Sequence, residues 1–160
     1  MKRNNVITQE EQVLLTSDPL TEILRQGARN LIIQAIEEEL HECLEKHAFR
    51  QGSNGKPGVV RNGYLPDRTL QTGIGPVIIK VPKIRSKDRN PAVFNSVLVP
   101  PYVRKTRSLE AALPWLYLKG ISSGEMSAAL KVLIGPNAEG LSSTTVSRLK
   151  KQWGKEYNDW

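Results

Sequence analysis

From Leu20 onward, apolar residues recur at intervals close to the helical period, through Ile23/Leu24, Leu31, Ala35, Leu40 and Leu44, while Glu37, Glu38, Glu39, Glu42 and Glu45 occupy positions between them. This spacing predicts an amphipathic α-helix from Pro19 to His47. Asp18 can cap its first amides, and Pro19 can sit in the first turn, where a backbone N–H has no intrahelical partner to lose. Such a helix cannot bury its stripe against itself, so it packs within the chain or on another copy. The pattern then changes. Residues 50–58, RQGSNGKPG, read as a loop. Thr69–Thr72 and Val77–Val81 are short β-prone runs joined through Gly73-Ile74-Gly75, which predicts a hairpin. Pro82 cannot donate to a ladder and should end or edge the second strand. Residues 90–101, interrupted by Pro91, Pro100 and Pro101, read as an extended connector packed on something else.

A helical period returns at Arg107. Leu109, Ala112/Leu113 and Leu116/Tyr117 form one face of a first helix that contains Pro114 and closes at Gly120. Ser122 and Glu125 have the spacing of a capping box, and Met126, Ala129, Leu130 and Leu133 give a second helix its dry stripe. A third helix opens near Ser142-Ser143, with Leu141 as a staple residue. Its apolar stripe is Val146, Leu149, Trp153, Tyr157 and Trp160. Thr144, Arg148, Lys151 and Lys155 lie opposite, with no acid between Leu141 and Lys155. Three short helices, the last starting with hydroxyls and carrying bases outside, match a helix-turn-helix unit. A plain bundle with a solvated basic face has the same pattern.

Charge sharpens the picture. Residues 1–48 carry 5 basic and 9 acidic side chains, residues 49–107 carry 12 and 2, and residues 108–160 carry 6 and 5. The middle of the chain is strongly cationic, as a partner of a polyanion would be, although a basic surface also serves solubility. Within it, Lys83, Arg85, Lys87 and Arg89 stand at every second position, so an extended backbone projects them to one side and Ile84 to the other. No run is long and apolar enough for a membrane span, the N-terminal stretch lacks the apolar core of a leader, and Cys43 is the one cysteine. A cytoplasmic protein without a disulfide is expected. Cys43 reads as a buried thiol, and Glu38, His41, Glu42 and Glu45 as a solvated helix face in preference to a metal cluster. No GxSxG, HExxH, CxxC or phosphate-loop pattern occurs.

The runs RNGY (61–64), RTLQTGIGPVIIKVPKIR (68–85), TRSLEAALPWLYLKGISSGEM (106–126) and GLSSTTVSRLKKQW (140–153) are similar to the N-terminal half of the mutator-type transposases of bacterial insertion sequences, and QAIEEELHECL (34–44) resembles a helix near the start of those proteins. The resemblance covers roughly residues 18–160. It implies binding to the terminal inverted repeats of an insertion element in double-stranded DNA. In that family an RNase H-like domain further along supplies Asp, Asp and Glu to two divalent metals such as Mg, which activate the attacking oxygen and stabilise the leaving one. Those three positions have no counterpart here. The 160 residues are therefore expected to be catalytically inert by themselves, with no cofactor.

The expected fold is mostly α with a small β-hairpin region. It divides into a flexible 1–17, an amphipathic helix in 18–48 suited to dimerisation, a basic hairpin and connector in 49–100, and a helix-turn-helix-like unit in 101–160. The expected DNA contacts are Lys83, Arg85, Lys87 and Arg89 on the backbone, Ser143, Thr144, Thr145, Ser147 and Arg148 at bases or nearby phosphates, and Lys150, Lys151 and Lys155 mainly on the backbone. The alternatives are a regulatory protein pairing with a full-length transposase and an inactive pseudogene product.

Overall fold

The computed structural model describes residues 18–138 and 142–160. The expectations for 1–17 and for Leu141 lie outside them. Helix α1 spans Pro19–Lys46, and Asp18 caps it by accepting from the Leu20 and Thr21 amides. The Thr21 hydroxyl, followed by the Leu20 amide, lowers the Asp18 pKa below the ordinary carboxylate range.

The β region is a ribbon in two tiers. Strand β1 (Val59–Tyr64) leads into the hairpin of β2 (Arg68–Thr72) and β3 (Gly75–Ile79), and β4 (Pro82–Ser86) returns antiparallel beside β1. Pro82 pairs with Tyr64 at the first position of β4, where its missing donor is tolerated. The hairpin turns tightly at Gly73-Ile74, and Gly75 sits at φ +100, a backbone state open to glycine at little cost. β1 was not anticipated. Its Arg61, Asn62 and Gly63 are polar or turn-like, and an irregularity in register falls between Arg61 and Tyr64.

α1 packs across β3 and β4. Ile36 and Leu40 meet Leu70, Val77, Ile79 and Val81, and Phe94 and Val99 of the connector complete this cluster, with Cys43 half-buried at its margin. The dry face of α1 therefore differs from the expected stripe. Ile32, Ile36, Leu40, Cys43 and Leu44 pack inward, whereas Leu20, Ile23, Leu24 and Leu31 are exposed. The glutamates are not all solvated either. Glu37 takes both terminal nitrogens of Arg61 at 2.7 and 2.8 Å, and Glu39 accepts from the Val97 and Leu98 amides at 3.1 and 2.9 Å.

Three helices follow: α2 (Arg107–Leu118), α3 (Met126–Ile134) and α4 (Ser143–Asn158). α2 runs through Pro114 and ends before Gly120, whose φ is +96. Ser122 Oγ accepts from the Glu125 amide at 3.2 Å and donates to its carboxylate at 2.8 Å, which shapes the turn before α3. Ser142 caps α4 by accepting from the Thr145 amide. Leu109, Leu113, Met126, Leu130, Val146 and Leu149 form the second core. Two expected core contributions fail. Leu133 is exposed and Ile134 packs in its place, while the stripe of α4 goes dry only as far as the half-buried Trp153, leaving Tyr157 and Trp160 in solvent. The fold is thus mostly α with a small β region. No described helix is long and apolar enough to cross a membrane.

Gln71 links the two cores. Its backbone donates to Arg104 O and accepts from the Thr106 amide, and its side-chain amide donates to Asn137 O at 3.3 Å. At the hairpin tip, Arg25 donates to Ile74 O at 3.2 and 3.1 Å.

Candidate nucleic-acid interface

Strand β4 sets the first cationic surface. Pairing with β1 keeps it extended, so Lys83 and Arg85 are exposed while Ile84 and Ser86 turn partly inward. The regular strand stops at Ser86 and the chain bends over 87–90, but Lys87 and Arg89 remain exposed and Asp88 does not.

Asp88 explains how the alternation outlasts the strand. Arg50 grips it with two bonds of 2.7 and 2.6 Å, and the same guanidinium also donates to Asn90 O. The hydrogen bonds from Arg50 hold the Asp88 carboxyl below its ordinary pKa. Gly58 lets these strands close up. Its N–H donates to Arg50 O and its carbonyl accepts from the Lys87 amide, and a β-carbon there would lie 3.0 Å from Arg50 O. The one acid within 83–89 is thereby neutralised from inside, and four cations face out.

The second surface is α4. Its buried Val146 and Leu149 turn Ser143, Thr144, Ser147, Arg148, Lys151 and Lys155 toward solvent. Thr145 is half-buried, its hydroxyl 3.2 Å from that of Ser142. Lys150 is also half-buried, and its ammonium donates to the Tyr117 hydroxyl at 2.7 Å and lies 4.2 Å from the ring centroid. It ties α4 to α2, which distinguishes it from the free cations on either side.

A feature that sequence reading missed lies between the connector and α4. Thr145 and Arg148 line a cleft of about 980 Å³ with the connector residues 97–107, including Tyr102, Arg104 and Arg107. Tyr102, Arg104 and Arg107 of YVRKTR (102–107) are exposed, and none of them is among the expected DNA contacts.

Among the described residues the carboxylates do not form a metal centre. Asp18 is a helix cap, Asp88 is held by Arg50, and Asp67 lies 3.6 Å from Lys80. His41 and Glu45 make a surface pair at 3.2 Å on α1. Among the described residues no three His, Cys, Asp or Glu side chains converge, so the residues do not fit the pair of divalent metals that the resemblance associates with strand transfer, and no chemical step is derived through them.

A sequence model described as "Transposase, Mutator family" matches residues 1–160. The chain belongs to that family. It is 28% identical over 127 residues to a transposase for insertion sequence element IS256 in transposon Tn4001 from Staphylococcus aureus, covering 79% of this chain and 30% of the relative. It is 29% identical over 143 residues to the transposase for IS1201 from Lactobacillus helveticus, covering 88% of this chain and 36% of that protein. A shorter match, 44% over 48 residues, covers 30% of this chain and 15% of the transposase for IS6120 from Mycolicibacterium smegmatis. The chain spans about a third of the length of the first two relatives. In this transposase family member, the converging acids of a strand-transfer site are absent from the described residues and cationic surfaces are present.

Proposed function

We propose that this chain is the DNA-holding part of a mutator-family transposase, in which α4 reads the terminal inverted repeats and the 83–89 strip grips the backbone. The observation that carries this reading is the outward set Lys83, Arg85, Lys87 and Arg89, cleared of negative charge by the inward Arg50–Asp88 pair. A run of cations with its own acid turned away is suited to a line of phosphates and has no use in the core.

The major groove, about 12 Å wide, admits one helix. Entering by its N-terminus, α4 brings Ser143, Thr144 and Ser147 to base edges or phosphates, with its free amides favouring anionic oxygens. Arg148 can address a guanine edge with two donors, and Lys151 and Lys155 meet backbone further along. Lys150 acts mainly by holding α4 on Tyr117.

Titration of labelled terminal-repeat duplex against scrambled duplex at several salt concentrations tests the reading. Tighter binding to the repeat is expected, with a log–log salt slope of about −0.9 per phosphate neutralised. Equal and salt-independent affinities would overturn it.

A second reading draws on α1. Leu20, Ile23, Leu24 and Leu31 are exposed at helical spacing, with open space at Gly27 between them. This face suits another copy of the chain or the corresponding helix of a full-length transposase, giving mixed dimers that lower activity. Light scattering at tens of micromolar checks it: the intact chain should be dimeric and Leu24→Glu monomeric, and a monomeric parent would remove this reading.

A further inference from the structure

The cleft between the connector and α4 combines features that a duplex backbone does not require. Its Tyr102 is 82% exposed, and Val97 and Leu98 beside it are also exposed. These side chains are not on a loose loop. The Val103 amide donates to Pro100 O at 3.0 Å to close a turn, and Arg68 donates to Pro100 O and Pro101 O, each at 2.7 Å, to Val103 O at 3.3 Å, and to Val99 O. One guanidinium therefore clasps four carbonyls of the 99–103 turn, including those flanking Tyr102, and fixes the base from which the Tyr102 ring projects. On the near side, Glu39 holds the Val97 and Leu98 amides. Chain that is braced this heavily, yet spends its apolar side chains on solvent, is built to present them.

The rim is cationic. Arg104, Arg107 and Arg148 are exposed at the cleft, and its one acid, Glu110, lies 3.6 Å from Lys105. Backbone bonds from Arg104 and Thr106 to Gln71 set the direction of this run. Phosphates alone would be served by the cations. The ring and the apolar floor call for the flat faces of bases, which in a paired duplex are hidden in the stack.

We propose that this cleft is a platform for unpaired DNA, with Tyr102 as the stacking surface and Arg104 and Arg107 neutralising the strand's phosphates. The inference rests on the reading that the chain binds DNA, but its stacking ring lies on the connector, outside α4 and the 83–89 strip, and it concerns a different state of the strand. It adds a place where a short single-stranded segment can be held next to the helix that engages the duplex.

Fluorescence anisotropy on the full chain can separate the two ideas, using a blunt duplex, the same duplex with a short thymidine overhang, and free oligothymidine. The overhang should bind more tightly than the blunt duplex. Tyr102→Ala should weaken overhang binding by about 5- to 100-fold, the range expected for loss of one stacked base, and change blunt-duplex binding by less than about twofold. Tyr102→Phe should behave as the parent, and Arg104→Gln should flatten the salt dependence of overhang binding. An unaltered melting curve for Tyr102→Ala accompanies the measurement, as expected for an exposed side chain. Equal affinity of the parent for blunt and overhanging duplexes, or a Tyr102→Ala effect absent from both or the same on both, would overturn the platform while leaving duplex binding intact. Binding of oligothymidine and of the overhanging duplex, with no affinity for the blunt duplex, would instead remove repeat recognition and leave the platform standing.

Discussion

Residues 18–105 add long-range directional contacts to their buried core, whereas the three C-terminal helices rely on six buried side chains. In the first region, Arg61 is matched to Glu37, Arg50 to Asp88, and Arg68 to a set of carbonyls, each pairing joining segments far apart in sequence. In the second, Leu109, Leu113, Met126, Leu130, Val146 and Leu149 do the holding, and Lys150–Tyr117 is a side-chain bond from α4 to α2. The difference suits the two tasks proposed above. A strip proposed to lie along phosphates needs the course of its backbone fixed, and the Arg50–Asp88 pair fixes it. A helix that enters a groove needs only its axis held, and non-directional packing is enough.

The contrast can be broken in measurable ways. Leu113 and Ile79 are both fully buried, one in each core, and truncation of either to Ala should cost about 2–5 kcal/mol. Trp115, Trp153 and Trp160 all lie in the helical region. Leu113→Ala should therefore lower the midpoint of a tryptophan-fluorescence melt more than that of far-UV dichroism, and Ile79→Ala should do the reverse. Coincident shifts in both variants would show one cooperative unit. Gly75→Ala attacks the junction: a β-carbon there would lie 2.7 Å from Arg25 Nη2 and 2.9 Å from Ile134 O, at a φ that disfavours side chains. A loss of about 1–3 kcal/mol is expected, and it should move both signals together.

Smaller effects sharpen the same picture. Trp153 is half-buried, so Trp153→Ala should cost less than the ~3–5 kcal/mol of a buried aromatic, as read by dichroism. Lys151→Ala should reduce the log–log salt slope of duplex binding by about 0.9. Lys150→Ala should change that slope less and weaken binding mainly by loosening α4, which a melt of the same variant would record. Acid is the mildest probe. Asp88 and Asp18 titrate below their ordinary values in the folded chain, so each contributes stability above about pH 4 that is lost as pH falls through the lowered value. Stability measured by urea melts should fall below about pH 4, and Asp88→Asn should start lower and fall less.

Local patterns carried much of this structure. Asp18-Pro19 marked the start of α1, Gly120 the end of α2, and period-two spacing put Lys83 and Arg85 on one side. What depended on distant partners did not show. Leucines at 20, 24 and 31 and isoleucines at 32 and 36 both have helical spacing, and the choice between them was made by where the ribbon docks. β1 escaped because its partner β4 lies beyond the hairpin and the turn-like Arg61-Asn62-Gly63 interrupts its β-prone residues. Arg50 and Asp88 are 38 residues apart, so the neutralised inner face of the strip has no local signature. The turn at Tyr102 depends on Arg68, more than thirty positions earlier.

The grip of Arg25 on the hairpin tip has a practical corollary for anyone attaching a probe to this protein. Ribbon tips usually accept extra residues because they end in open water. Here Ile74 O is claimed by α1 and Gly75 is hemmed in by the end of α3, so a tag spliced at 73–74 would pry three elements apart. The exposed Ser53-Asn54 turn offers the safer point for a label.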